Sequence, residues 1–106
     1  MRKPTPEQMA WASQSFQYTL QFYHESMRDG HGDFTPMIDL LQVIEQHPSF
    51  QFLSVYKSLY HLTIASAAHV ERPFMLNVDA PCLSVTQLSN EFEFGTSRGK
   101  RRKSPF

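Results

Sequence analysis

Residues 50–70 read FQFLSVYKSLYHLTIASAAHV, and the fold turns on whether this run is one helix or a set of strands. At helical spacing, Phe52, Leu53, Tyr56, Leu59, Tyr60, Thr63, Ile64 and Ala67 cover a wide arc, and Val55 and Leu62 carry it past half the circumference. A narrow polar strip remains, made of Ser54, Lys57, Ser58, His61 and His69. The aromatic and β-branched content of residues 50–64 is compatible with strands, but strict alternation is lost after Phe52. The spacing therefore predicts a central helix over about 50–70.

Upstream, His47-Pro48-Ser49 breaks the pattern, because the residue before a proline is pushed out of the helical region and a serine can cap the next element. Before the break, Met37, Leu40, Leu41 and Ile44 share one face and Asp39, Gln42 and Gln46 the other, predicting a helix over about 36–47 that opens at Thr35-Pro36. Further back, Thr5-Pro6-Glu7-Gln8 combines a capping hydroxyl, a proline for the first turn and a glutamine at the third position. Met9, Ala12, Phe16, Leu20, Tyr23 and Met27 then recur at three- and four-residue steps until Asp29-Gly30-His31-Gly32. This predicts a first helix over 6–28.

Downstream of Arg72-Pro73 the signals compete. Phe74 to Val78 suits a short strand, Asp79-Ala80-Pro81 a turn, and Asn90 to Phe94 shows two-residue alternation. Ser84-Val85-Thr86-Gln87 has the form of a capping box, with Val85, Leu88 and Phe92 on one helical face. Residues 74–94 are expected to form a short helix or a β-hairpin, with the helix favoured slightly. Past Gly95 no apolar pattern remains. The expectation is a mainly α protein: a small three-helix bundle in a single domain over 1–95, followed by a basic, flexible and disordered tail over 96–106.

The formal net charge of zero conceals a division. Residues 1–97 hold all ten acids against five bases (Arg2, Lys3, Arg28, Lys57 and Arg72), while Arg98, Lys100, Arg101, Arg102 and Lys103 stand without an acid among them. Hydrophobic residues make up 41 % of the 106, enough to build a core without disulfides. The lone Cys82 forms no internal disulfide and reads as a small half-buried hydrophobe, which fits a reducing compartment. No signal peptide or apolar run of membrane-spanning length is visible, so the expected location is cytoplasmic, or nuclear in a nucleated cell.

Two surfaces stand out. Trp11, Tyr18 and Phe22, at steps of seven and four, form a second apolar stripe almost opposite the first face of the leading helix. Such a stripe is either sandwiched within its own domain or offered to a protein partner, a second copy being the simplest. The five C-terminal cations displace counterions from a phosphate backbone, which predicts non-specific nucleic-acid contact. Their bland counterpart is a solvated tail, or one paired with acidic surface. Ser104-Pro105 has the form of a phosphorylation site that weakens this positive field.

Other candidates carry less. Asp29, His31 and Asp33 alternate in a glycine-containing loop near His24 and Glu25, but the EF-hand spacing fails and a helix exit accounts for the glycines. His61 and His69 lie eight residues apart, too far along a helix to share an ion. Leu83 to Arg98 has only the outline of a helix-turn-helix, its second segment lacking apolar residues with which to dock. No phosphate-binding glycine loop, dinucleotide fingerprint, HExxH or nucleophile elbow occurs. No cofactor, metal site or membrane contact is expected. The sequence thus predicts a non-enzymatic regulatory or accessory protein that binds a partner or itself through its body and nucleic acid through its tail. The runner-up is a pure interaction module, such as an inhibitor or assembly subunit. A metal-dependent enzyme built on the 29–33 loop is the remote alternative.

Overall fold

Thr5 and Gln8 start the chain's first helix by reciprocal capping: the Gln8 amide donates to Thr5 Oγ1 at 3.1 Å and the Thr5 amide to Gln8 Oε1 at 2.9 Å. Helix α1 (Pro6–Arg28) extends over the range read from sequence, and α2 (Thr35–Gln46) lies within a residue of its expected range. The computed structural model describes residues 3–106.

Beyond α2 the mainly helical expectation is overturned. Residues 50–70 are not a third helix. They form a single 3-10 turn, strand β1 (Leu53–Ser58), strand β2 (His61–Ser66) and a second 3-10 turn at Ala67–His69. The remaining strands are β3 (Val70–Arg72), β4 (Met75–Leu76), β5 (Cys82–Gln87), β6 (Glu91–Thr96) and β7 (Arg101–Pro105). They give a five-stranded antiparallel sheet in the order β1-β2-β5-β6-β7, with β3 and β4 as a separate small hairpin between β2 and β5. The fold is α+β, with two helices against a meandering sheet.

The register explains how a helical wheel was satisfied by strands. Val55 lies opposite Ile64 and Lys57 opposite Leu62, and Leu62 in turn lies opposite Val85, so Leu53, Val55, Leu62, Ile64, Leu83 and Val85 share one face. That face meets Phe16 and Tyr23 of α1 and Met37, Ile38 and Leu41 of α2 to form the core. The opposite face carries Ser54, Tyr56, Thr63 and Ala65, of which Ser54 and Ala65 are also buried. With apolar residues on both faces the two-residue period is blurred. The turn at Leu59-Tyr60 is equally unannounced, since Leu59 takes φ +55° without a glycine. Tyr60 holds that turn in place: its ring stacks on Phe34 at 5.1 Å and 6°, and its carbonyl accepts from the Tyr23 hydroxyl at 3.2 Å.

Residues 82–96 form a β-hairpin, correcting the helix favoured there; Ser84 to Gln87 belong to β5 and cap nothing. The basic segment is not a disordered tail in this structure. Arg101 to Pro105 pair with Glu91 to Gly95 as the last strand, and Gly95, expected to close the ordered part, is buried within β6. No helix among the described residues is long and apolar enough to cross a membrane.

Candidate functional site

Helix α1 runs along the β1 edge of the sheet, and its buried face differs from the one the aliphatic residues outline. Ala12, Ser15, Phe16, Thr19, Tyr23 and Ser26 are buried, while Met9 is exposed and Leu20 and Met27 are half-buried. The small polar members allow close approach to a strand and use its backbone. The Ser15 hydroxyl donates to the Val55 carbonyl, and the Thr19 hydroxyl donates to the Ser15 carbonyl at 2.8 Å. At the helix start, Gln8 Nε2 donates to the Val70 carbonyl at 2.8 Å, tying β3 to α1.

The aromatic stripe is split by this arrangement. Phe22 lies against the core, 5.5 Å from the rings of both Tyr23 and Tyr60, with the Lys57 ammonium 4.1 Å from its centroid. Trp11 is half-buried. Tyr18 remains 55 % exposed and faces Phe74 of the β3–β4 hairpin at 5.9 Å. Of the three residues assigned to a partner, Tyr18 alone is broadly open.

Between α1, the β1–β2 hairpin and the β3–β4 hairpin lies a cleft of about 590 Å³, walled by Tyr18, Tyr56, Phe74 and Leu76 with Lys57 and Thr63 among its polar groups. Phe74 takes φ +66°, a strained conformation for a residue with a Cβ. Nearby, the Tyr56 and Ser54 hydroxyls are buried without a well-formed hydrogen bond. Burial pushes the Tyr56 phenol above its ordinary pKa, with the Ser54 hydroxyl pulling the other way. Sequence periodicity offers no warning of this site, because Lys57, Thr63 and Phe74 come together only once residues 50–70 fold as strands.

The five C-terminal cations form the other candidate. Arg98 and Lys100 sit in the β6–β7 turn, where Gly99 takes φ +87°, and Arg101, Arg102 and Lys103 lie on β7; all five are exposed. Strand alternation puts Arg101 and Lys103 on the face of Glu91 and Glu93, and Arg102 on the face of Phe92 and Phe94. Arg101 Nη1 reaches Glu93 Oε1 at 3.2 Å, crossing Gly95, where a Cβ would stand 3.3 Å from that nitrogen and 2.7 Å from Ser84 Oγ. Among the described residues, Arg98, Lys100, Arg102 and Lys103 have no acidic partner within ion-pair distance. No protein-family model, curated protein or solved structure matches the chain. The chemistry of these regions carries the functional reading.

The remaining candidates have ordinary structural surroundings. Asp33 accepts from the Thr35 amide at 3.0 Å and its hydroxyl at 2.6 Å, bonds that hold its carboxyl below the usual range and fix the entry to α2. Asp29 lies 3.6 Å from the Arg28 guanidinium. Among the described residues, no three of His, Cys, Asp and Glu converge in a way that could hold a metal ion. His61 Nδ1 lies 2.8 Å from Thr86 Oγ1 across the β2–β5 pairing, and His69 sits in the second 3-10 turn. Cys82 opens β5 as a half-buried free thiol, and Ser104 is exposed on β7.

Proposed function

We propose that this chain is a non-enzymatic binding protein of a reducing compartment, cytoplasmic or nuclear, whose basic β6–β7 hairpin contacts nucleic acid without reading its sequence. One observation supports the reading: four of the five cations are exposed, lack acidic partners among the described residues and are held on the edge strand β7 and the turn leading into it. An ordered edge strand presents its charges with less ordering entropy to lose than a loose tail does. It tracks a phosphate backbone through charge alone, since Arg98, Lys100, Arg102 and Lys103 share no face from which to address base edges together.

The salt dependence gives the signature. Four neutralised phosphates correspond to a log–log slope of at most about −3.6 on duplex DNA. The test titrates a labelled duplex with wild type and with the Arg98→Gln/Lys100→Gln/Arg102→Gln/Lys103→Gln variant across a salt series. Substitution is preferable to truncation after Ser97, which would strip β7 from β6 and expose a new edge. Loss of affinity and a flattened slope in the variant are expected, and identical titrations would end the reading.

A protein partner is the second reading, supported by the exposure of Tyr18 beside Phe74. It covers both self-association and the pure interaction module, in which the same hairpin docks on an acidic protein surface. Tyr18→Ala should then abolish dimer formation or partner binding in light scattering while leaving the duplex titration unchanged.

A further inference from the structure

Lys57 is half-buried, has no acidic partner among the described residues, and holds its ammonium 4.1 Å from the Phe22 centroid and 5.8 Å from that of Tyr18. Tyr18 is a wall of the 590 Å³ cleft, so a charge without a counter-ion stands at the side of a largely apolar space. Among the described residues, no Asp or Glu lines that cleft. Its hydroxyls divide into two sets. Those of Ser15 and Thr19 are engaged with backbone carbonyls, whereas those of Tyr18, Tyr56, Ser58 and Thr63 make no well-formed hydrogen bond among the described residues.

The volume falls within the range of small-molecule sites, about 300–1,000 Å³. Unrelieved costs also gather here: the left-handed backbone of Phe74, 51 % exposed on one wall, and the buried Tyr56 hydroxyl, which lacks a well-formed hydrogen bond among the described residues. Strain and unsatisfied polar groups of this kind concentrate at ligand sites, because a core selected only for packing would shed them.

We propose that the cleft between α1 and the two hairpins binds a small organic carboxylate with an apolar body. The body lies between Tyr18, Phe74 and Leu76, and the carboxylate takes the Lys57 ammonium, which stands beside the Tyr18 ring at the cleft's edge. The charge pattern favours an anion over a neutral or cationic ligand, since a cation would meet Lys57 with no acid to offset the repulsion. The aromatic walls favour a flat or unbranched body over a bulky one.

The test is calorimetry on the full chain with 4-phenylbutyrate and its uncharged amide, 4-phenylbutyramide. The acid should bind about tenfold more tightly than the amide, the value of one charge-assisted contact. Lys57→Gln should erase that difference, and Phe74→Ala should weaken both ligands. Equal affinity for acid and amide, or no heat from the acid at millimolar concentration, overturns the proposal. So does loss of acid binding in the Arg98→Gln/Lys100→Gln/Arg102→Gln/Lys103→Gln variant, because the carboxylate would then be on the basic hairpin. Should Lys57→Gln fail to fold, amide chemical shifts of the wild type decide: the acid must move Thr63 and Phe74, and shifts confined to residues 98–103 overturn the assignment. Since the variants that remove nucleic-acid binding leave this cleft intact, either reading can fail alone.

Discussion

At the β1 edge of the sheet, α1 lies along the strand and the Ser15 hydroxyl takes up the Val55 carbonyl; at the β7 edge no further strand pairs among the described residues, and all five residues from Arg101 to Pro105 are exposed. Both edges face the same physical problem, a row of backbone groups ready to pair with another chain. The first is closed by packing, which demands small residues with hydroxyls on the helix. The second is left open and guarded by charge and by Pro105, which has no amide to donate. The cations of β7 therefore have a role in the fold whether or not they meet a phosphate, and the two edges should respond very differently to mutation.

The largest effect is expected where the closed edge joins the core. Phe16, 2 % exposed, packs edge-on against Phe50 at 4.9 Å, so Phe16→Ala should lower unfolding free energy by about 3–5 kcal/mol in denaturant titration. A loss below about 1 kcal/mol would mean that α1 is only loosely seated. Next comes the edge itself. Ser15→Ala removes the donor to a buried strand carbonyl and should cost about 1–3 kcal/mol, with faster amide exchange along β1 as its local mark. No change in either measurement would reduce the covered edge to ordinary apolar contact.

The same contrast shows what the sequence could and could not reveal. Both helices were legible because Thr5-Pro6 and Thr35-Pro36 mark starts that depend on neighbouring residues alone. The β5–β6 hairpin was half legible, through the alternation of Glu91 to Phe94. The β1–β2 hairpin was hidden for two physical reasons: residues on both its faces are buried, and its turn uses Leu59 and Tyr60, held by tertiary stacking on Phe34 rather than by a turn-forming residue. That one misreading also hid the cleft, which needs Tyr56 and Thr63 on adjacent strands. The basic run was plain as charge, but its pairing with β6 was not, because Arg101 to Ser104 offer no apolar residue to signal a strand. The stripe of Trp11, Tyr18 and Phe22 was correctly placed on α1 but is divided among different surroundings by elements the sequence did not announce.

A smaller effect separates the two sides through pH. The Tyr23 phenol is buried behind the closed edge and its pKa is raised by desolvation, so the folded state holds this proton more tightly than the unfolded chain. Its contribution is complete below the unfolded value near pH 10 and declines as pH climbs above it. Tyr23→Phe should cost about 0.5–1.5 kcal/mol at neutral pH through loss of the bond to the Tyr60 carbonyl. The gap to wild type should then narrow above about pH 10. A gap that stays constant through alkaline titration would place Tyr23 in contact with solvent.

The smallest effect on stability belongs to the open edge. Replacing Arg98, Lys100, Arg102 and Lys103 by glutamine removes no buried surface and no ion pair, so unfolding free energy should move by no more than about 0.5 kcal/mol. Association is where the change should show. With Arg102 and Lys103 neutralised and only Arg101 left charged, β7 presents a less guarded strand, and light scattering should register growth of larger species at concentrations where wild type does not change. A variant that keeps the state of association of the wild type would mean that Arg101, Pro105 and the short length of β7 already suffice to block pairing, leaving a ligand outside the chain as the remaining reason for so much positive charge at one sheet edge.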